Sequence, residues 1–305
     1  MRLFILGLRR SGTTAFWRAF REDPRMVAYN EPFNPLLRHV SDPSWLDRFE
    51  AYREFHDLWK RDPATFWQRY RAIHGLEEIQ EGLSDQQGAY LEFLLSSADH
   101  TVFDFTRAHF KVASLAEQAP EAVLVHLHRD PGSFATSHLV PSGQQIPRRG
   151  SRTRMWGRLL HNAAVKRLNR ATFFRRSNRY NYWGIEDIVG SSPDSLFGTR
   201  LVESGLDPLA VYRLPALGRL LAFWRIHYER LERDGRRFFG ERFVSVRFED
   251  YCERPLEIVT RIYDTMKANP PPGLSLSHVH PARGRYRPSH PEWERCASLL
   301  ALPRV

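Results

Sequence analysis

Cysteine is nearly absent from this 305-residue chain, which contains only Cys252 and Cys296. Two isolated cysteines form neither a zinc-ligand pattern nor a disulfide framework, and this favours a reducing cytoplasmic setting. No apolar run approaches the roughly 18 residues of a membrane span. Residues 1–8 are too short for the apolar core of a signal peptide. We therefore expect a cytoplasmic protein with no transmembrane segment.

Acidic residues are missing from one long segment. Between Arg148 and Arg179 the chain has 11 Lys/Arg and no Asp/Glu, whereas its overall formal net charge is +10. The remaining residues therefore have a net charge of −1 (+10 less 11). A nucleic-acid-binding protein is expected to distribute basic residues over a binding face. We predict no nucleic-acid partner, and interpret the segment as a lid that attracts an anionic ligand. A solvated loop or an oligomer contact is the alternative, and the oligomeric state is left open.

The lysine of a Walker loop is also missing, although its glycine spacing is present. A short apolar run ends at Gly7. Gly12 follows after four intervening residues, immediately before Thr13, where a Walker loop has Lys. A strand, a glycine-bearing loop and a helix N-terminus together form an anion site, because the first N–H groups of a helix have no intrahelical partner. The missing lysine disfavours ATP or GTP chemistry, and a small-molecule kinase is kept as an alternative function.

Strands and helices alternate along the chain, which indicates a three-layer α/β/α fold around a central parallel sheet. Apolar runs predict strands at 4–7, 26–29, 101–105, 123–128 and 243–248. Helices are predicted from Thr13 or Thr14 to a point before Pro24, over 132–139, over 217–231 with Gly235 near the C-cap, and over 255–266. We expect a single domain, 1–305, with a helical insertion at about 40–99 and a basic, lid-like insertion at about 141–215.

The loop Arg10-Ser11-Gly12-Thr13-Thr14 resembles that of the sulfotransferases that use PAPS (3′-phosphoadenosine 5′-phosphosulfate). In that family such a segment holds the 5′-phosphosulfate. The resemblance implies that the donor contacts are made by residues of this loop, namely Arg9, Arg10, Ser11, Gly12, Thr13 and Thr14. In the protein-tyrosine and Golgi glycan sulfotransferases, a Glu after the loop is the general base. The loop, Pro24 and Glu31 match the tyrosine-sulfotransferase pattern without a gap.

The segment after the third predicted strand suggests other catalytic residues. Cytosolic sulfotransferases have a Lys-Thr-His segment with a His base, which nominates His109. Tyrosine sulfotransferases have a catalytic cation in a Lys-Asp-Pro-Phe segment, which nominates Arg107. Only one base is required, and the ungapped match favours Glu31. A lone His after a strand is more often a hydrogen-bonded structural residue.

Two further segments resemble nucleotide-binding parts of the family. Arg129-Asp130-Pro131 with Ser137 resembles the motif for the 3′-phosphate, and a guanidinium with a hydroxyl donor suits a phosphate monoester. Asp130 and Pro131 are expected to start the helix that places Ser137. The residues Arg283, Gly284 and Arg285 resemble the C-terminal segment that folds back over the nucleotide.

The resemblance implies a bacterial enzyme that moves a sulfuryl group from PAPS to an acceptor hydroxyl, giving a sulfate ester and PAP. Glu31 would take the acceptor proton, and Arg10 would stabilise the charge on the leaving phosphate. No metal is required, and no metal-ligand cluster is visible in the sequence. The acceptor could be a peptide tyrosine, a glycan or a small natural product. The alternatives are a P-loop kinase, a non-catalytic basic nucleic-acid-binding protein and a catalytically inactive scaffold of the same fold.

Overall fold

A computed structural model describes residues 1–139, 185–280 and 291–302. The basic segment 148–179 and the predicted nucleotide-contacting residues Arg283, Gly284 and Arg285 lie outside these ranges, and what is expected of them stays a prediction. The chain divides into two compact units. The first consists of Met1–Arg129 and His227–Arg283, and the second of Asp130–Ile226 and Gly284–Val305.

A parallel sheet forms the centre of the first unit. In the described residues it has five strands in the order β2-β3-β1-β4-β5. Every neighbouring pair is parallel, with Leu3 opposite Val102 and Val123. The strand bounds are β1 Arg2–Leu6, β2 Val27–Asn30, β3 Thr101–Phe105, β4 Val123–His128 and β5 Phe243–Arg247. The predicted α/β fold with a central parallel sheet is confirmed.

The central strands are apolar on both sides because helices cover both faces of the sheet. On one face, Phe4 and Tyr29 pack against the aromatic side chains of the helical insertion. On the other face, Ile5 packs against the helix that follows the first loop, through Phe16 and Phe20. Alternating strand residues thus enter two separate cores, which produces the three layers.

The helices of the first unit are α1 Thr13–Arg21, α2 Pro43–Leu46, α3 Arg53–Arg61, α4 Pro63–Arg69, α5 Asp85–Leu95, α6 Val112–Gln118, α12 Phe248–Glu253 and α13 Pro255–Thr265. Those of the second unit are α7 Pro131–Leu139, α8 Glu186–Val189, α9 Leu196–Glu203, α10 Pro208–Tyr212 and α14 Pro291–Leu299. Helix α11, Ala216–Phe239, belongs to the second unit up to Ile226 and to the first from His227. The described residues also form 3-10 helices at Pro35–His39, Glu50–Tyr52, Gly75–Ile79 and Gly240–Arg242.

The helical insertion consists of short helices, some of which are stabilised by side-chain caps at their N-termini. Asp62 accepts from the backbone N–H of Thr65 at 3.0 Å, and Ser84 forms a capping box with Gln87. Most of its aromatic residues belong to the core or pack against it. Phe49 and Trp67 differ, since they are 40% and 39% exposed.

The second unit has its own small core. The ring of Phe223 lies 6.4 Å from that of Phe134 and 6.5 Å from that of Phe197. Arg225 donates to the carbonyl of Ser204 at 3.2 Å, which ties α9 to α11 within this unit. Helix α7 begins at Pro131, and Asp130 accepts from the N–H of Ser133 at 2.8 Å, as its sequence predicted.

The prediction for Gly235 is wrong. It lies inside α11, which continues to Phe239, rather than near its end. A Cβ on Gly235 would lie 2.2 Å from the ring of Phe243, the first residue of β5. The glycine is therefore explained by close packing of helix on strand, and the chain turns instead at Gly240, whose φ is 56°.

Candidate active site

The carboxyl ends of parallel strands meet at one edge of the sheet, where ligands of open α/β folds bind. Gly7 follows β1, Glu31 follows β2, Thr106 follows β3 and Arg129 follows β4. All four residues belong to the first unit. The predicted donor loop and the predicted base therefore lie along the same edge.

The loop after β1 leads directly into the N-terminus of α1. Ser11 N–H donates to the carbonyl of Leu8 at 3.0 Å, which closes the turn, and Gly12 occupies the N-cap with φ 91°. No side chain caps α1 within the described residues, and its first turn has no acidic residue. The leading N–H groups of α1, together with the helix dipole, can therefore receive an anion.

Gly12 is required for two reasons. Its left-handed φ suits glycine, and a Cβ there would lie 2.2 Å from the ring of Phe248. Gly7 is equally confined, because a Cβ there would lie 2.5 Å from the carbonyl oxygen of Leu127. The loop is thus pressed against the ends of β4 and β5, with no room for a side chain at either glycine.

Arg129 lies against this loop. Its Nη1 donates to the carbonyl of Arg10 at 3.0 Å, and its guanidinium lies 5.6 Å from the ring centroid of Phe248. Glu249, which is buried, lies 3.8 Å from Arg129 Nε and 3.2 Å from Arg247 Nε. Burial, and then the charge of Arg129, lower the pKa of Arg10. The loop is therefore flanked by two guanidinium groups, as an anion site requires.

Ser137 belongs to the second unit. Its hydroxyl donates to the carbonyl of Phe134 at 2.7 Å, within α7. Joint phosphate binding by Ser137 and Arg129 stays a prediction.

Glu31 is held by its neighbours at one carboxylate oxygen. Oε2 accepts from Asn34 Nδ2 at 2.5 Å and from Arg107 Nη1 at 3.1 Å. Oε1 accepts no hydrogen bond from any described residue, and 18% of the side chain is exposed. The carboxylate is therefore oriented through one oxygen while the other can accept a proton from a ligand. Glu31, Phe105 and Arg107 line one concave surface.

Arg10 and Glu31 share an uncommon backbone. Their φ angles are 70° and 48°, in the left-handed region that non-glycine residues rarely adopt. Residues held in such conformations cluster at functional sites, where the surrounding structure fixes them. Two predicted catalytic residues are thus among the few described non-glycine residues with positive φ.

Arg9 occupies a different environment from Arg10. Its side chain is 5% exposed and forms a bidentate ion pair with Glu78, in which Nη1 lies 2.9 Å from Oε2 and Nη2 donates to Oε1. Glu78 also lies 3.3 Å from Arg107 Nε. Burial raises the pKa of Glu78, while the charges of Arg9 and Arg107 oppose this shift. Sequence reasoning missed Glu78, because no motif surrounds it. The only signal was a pair of glutamates between the apolar Leu76 and Ile79.

Asp104 is a second residue that sequence reasoning missed. It lies on β3, fully buried, and its backbone carbonyl accepts a hydrogen bond from the N–H of Glu31 at 2.8 Å. Burial, and then the charge of Glu31, raise the pKa of Asp104 well above its usual range, while the hydroxyl of Thr13 opposes this shift. The environment therefore favours the neutral acid between the donor loop and the predicted base.

His109 lies inside the first unit, 2% exposed. Its ring meets that of His227 edge to face at 5.1 Å. Burial, and then the neighbouring His227 and His126, lower the pKa of His109 well below its ordinary value. The imidazole is therefore a neutral, sheltered group in this structure.

The region around His109 contains further histidines on the same side of the sheet. His126 Nδ1 donates to Glu232 Oε1 at 2.7 Å, and the hydroxyl of Ser245 donates to the same oxygen at 2.5 Å. Burial would raise the pKa of Glu232, but these hydrogen bonds lower it to about 2. Burial lowers the pKa of His128 to about 3. We call His109, His126, His128 and His227 the histidine cluster.

Comparison with known proteins identifies the family. The sulfotransferase family model matches residues 2–175, which is more than half of the chain. The chain belongs to the sulfotransferase family. No curated protein matches it.

The solved structures similar to this chain include two sulfotransferases. The sulfotransferase domain of the Synechococcus PCC 7002 olefin synthase has 11% identity and a TM-score of 0.47, with 100% of this chain and 96% of that chain covered. Sulfotransferase STF9 from Mycobacterium avium has 16% identity and a TM-score of 0.45, with 98% of this chain and 75% of that chain covered.

Two features are absent from the described residues. In that part of the chain no helix has both the length and the apolar character needed to cross a bilayer. The same residues contain no group of three or more His, Cys, Asp or Glu arranged to hold a metal ion.

Proposed function

We propose that this sulfotransferase transfers the sulfuryl group of PAPS to an acceptor hydroxyl, with Glu31 as the general base. The observation that carries the proposal is the arrangement of Glu31: one oxygen is fixed by Asn34 and Arg107, and the other is open, on the sheet edge that also presents the N-terminus of α1. A base needs an oriented lone pair within reach of the acceptor proton, and Glu31 supplies one.

The donor would bind with its phosphosulfate at the loop after β1. The backbone N–H groups of residues 11–14 would receive the anionic oxygens, as helix N-termini commonly do. The guanidinium of Arg9 is occupied by Glu78, so we assign to Arg9 a backbone role in donor binding. Arg10 would act through its charge beside the loop, next to Arg129.

In the proposed reaction, the acceptor hydroxyl gives its proton to Glu31 Oε1 while its oxygen forms a bond to sulfur. The bond between sulfur and the bridging phosphate oxygen breaks in line, and that oxygen leaves as part of PAP. Arg10 and the N–H groups of α1 stabilise the charge that develops there. Arginine stays protonated at neutral pH, so Arg10 acts by charge and hydrogen bonding rather than by giving up a proton.

The other end of PAPS would lie near Arg129. We propose that Arg129, with Ser137 and residues Arg283, Gly284 and Arg285, receives the 3′-phosphate and the nucleotide. The support for Arg129 is its position after β4, beside the loop that it braces through the carbonyl of Arg10. A peptide tyrosine, a glycan or a small natural product would each supply the acceptor hydroxyl.

Calorimetry with PAP tests the donor. We expect PAP to bind without added metal, and sulfate-labelled PAPS to label an acceptor in a cell extract. Mg²⁺-dependent binding of ATP with no binding of PAP would favour the kinase alternative instead. Binding of nucleic acid that weakens steeply with salt, again without PAP binding, would favour a nucleic-acid-binding protein.

Replacing Arg129 by Ala tests the nucleotide end. We expect R129A to weaken PAP by about 10- to 100-fold, the value of a charge-assisted phosphate contact. Adenosine 5′-phosphosulfate lacks the 3′-phosphate and should lose much less affinity. Arg254, an exposed arginine paired with Glu257, gives the control variant R254A. Equal losses for the two nucleotides would remove the 3′-phosphate assignment.

A further inference from the structure

The helical insertion sends one buried carboxylate to the candidate active site. Glu78 lies on the 3-10 helix Gly75–Ile79 and is 3% exposed. Its neighbour Glu77 turns the other way and accepts from the backbone N–H of His74 at 2.8 Å. The two adjacent glutamates therefore differ: the Glu77 side chain caps the 3-10 helix, whereas the Glu78 side chain is buried.

Glu78 contacts two arginines that come from different strands. Its two oxygens receive the two terminal nitrogens of Arg9, which follows β1. Its Oε1 also lies 3.3 Å from Nε of Arg107, which follows β3. Glu78 thus joins the end of β1 to the end of β3 from outside the sheet.

Arg107 extends this contact to the predicted base. While its Nε faces Glu78, its Nη1 lies 3.1 Å from Oε2 of Glu31. The charges alternate along the series Arg9, Glu78, Arg107 and Glu31, which we call the ion-pair network. The guanidinium of Arg107 is planar and binds a different carboxylate at each of two positions, so its orientation is fixed by both.

Stability alone does not explain a carboxylate at this position. Taking charges out of water costs several kcal/mol per ion, and well-packed apolar side chains are often at least as stabilising as a buried ion pair. What the ion pairs supply is direction, because each charged hydrogen bond fixes the angle as well as the distance between its partners.

We propose that Glu78 is a positioning residue for sulfuryl transfer, which holds Arg107 against one oxygen of Glu31 and ties that arrangement to the donor loop through Arg9. The proposal rests on the proposed function, since it assigns Glu78 a part in the same reaction. Without the carboxylate of Glu78, Arg107 has Glu31 as its remaining partner in the ion-pair network. It can then turn to bind both oxygens of Glu31, including the one that would accept the proton.

The test is the variant Glu78→Gln, which keeps the size of the side chain and removes its charge. We expect kcat to fall by about 10- to 100-fold, the cost of a misplaced catalytic group. The affinity for PAP, measured by calorimetry, should change by less than about 3-fold, because the N–H groups of α1 are unchanged. A merely structural role would reduce kcat and PAP affinity together.

Three more variants separate positioning from folding. Glu77→Gln is the matched control. It should leave kcat within about 2-fold of the wild type, since the Glu77 carboxylate accepts from the backbone N–H of His74 and is not a member of the ion-pair network. Glu78→Asp keeps the charge but shortens the reach, so it should fold, bind PAP and lose part of kcat. In an Arg107→Gln background, Glu78→Gln should lower kcat by less than about 3-fold, because the route through Arg107 is already broken.

The outcomes are distinguishable. A wild-type protein that transfers no sulfate from PAPS would remove the proposed function and the role of Glu78 with it. An active wild type with E78Q and E78D at wild-type kcat would overturn the positioning role alone. Parallel loss of kcat and PAP affinity in both variants, unfolding of both, or full additivity with R107Q would also overturn it.

Discussion

Glu31 and His109 follow neighbouring strands of one sheet, yet they lie in opposite environments. Glu31 is partly exposed, with one oxygen bound by Asn34 and Arg107 and the other open. His109 is 2% exposed and contacts the ring of His227. A base must reach the acceptor and must gain a proton during the reaction. Burial opposes both for His109, so the comparison favours Glu31 on physical grounds that the two motifs alone did not supply.

The largest expected effect is on the Glu31 side of the comparison. Glu31→Gln removes the proton acceptor while the amide preserves the shape, so kcat should fall by about 10²- to 10⁴-fold. PAP affinity, measured by calorimetry, should stay nearly unchanged. Glu117 is exposed on α6, and E117Q is the control for the loss of a carboxylate. Turnover by E31Q at the wild-type rate would end the assignment of Glu31.

A smaller effect is expected from His109→Ala. Removing a buried ring leaves a cavity, and the free energy of unfolding should fall by about 1–3 kcal/mol in urea denaturation. The kcat per folded molecule should stay within about 10-fold of the wild type, far from the loss in E31Q. The comparison breaks if H109A folds, binds PAP and has no turnover while E31Q is active.

The smallest expected effect is the loss of stability in acid that the histidine cluster causes. The pKa of His128 is about 3 in the folded protein, against an ordinary value of 6.5. Between these values the unfolded chain takes up a proton that the folded protein does not. Stability is therefore full above about pH 6.5 and falls as the pH drops, by up to about 1.4 kcal/mol per pH unit for this one group.

The variant His128→Gln isolates that contribution. Between about pH 7 and pH 5, the free energy of unfolding of H128Q should fall less steeply with decreasing pH than that of the wild type. The two slopes should differ by up to about 1.4 kcal/mol per pH unit, the contribution of one bound proton. Carboxylates contribute equally to both proteins, so the difference reports His128. The exposed His39 gives the control H39Q, which should keep the wild-type slope. Identical slopes for H128Q and the wild type would contradict a neutral His128.

Much of the fold could be predicted from the sequence because its signals are local. Apolar runs predicted all five strands of the described sheet, and the start of α7 followed from Asp130 and Pro131. Gly235 shows the limit of such signals. Its sequence context suggested the end of a helix, whereas its actual role depends on Phe243 from the next strand.

The candidate site divides in the same way. The donor loop, Glu31 and Arg129 follow strands and have motifs, so the sequence could nominate them. Glu78 and Asp104 have no motif, and their importance comes from burial and from distant partners. Glu78 pairs with Arg9, 69 residues away, and Asp104 accepts from the N–H of Glu31, 73 residues away. Long-range contacts of this kind are set by the packing of the insertion and the sheet, which no local pattern encodes.

The left-handed backbone at Arg10 and Glu31 has a consequence for any effort to make this enzyme more thermostable. Glycine tolerates such angles without the penalty of roughly 1–2 kcal/mol that a side chain meets there. A screen that rewards heat resistance alone should therefore accept glycine at either position. The survivors would resist unfolding better and would have given up the guanidinium and the carboxylate on which sulfation is proposed to depend.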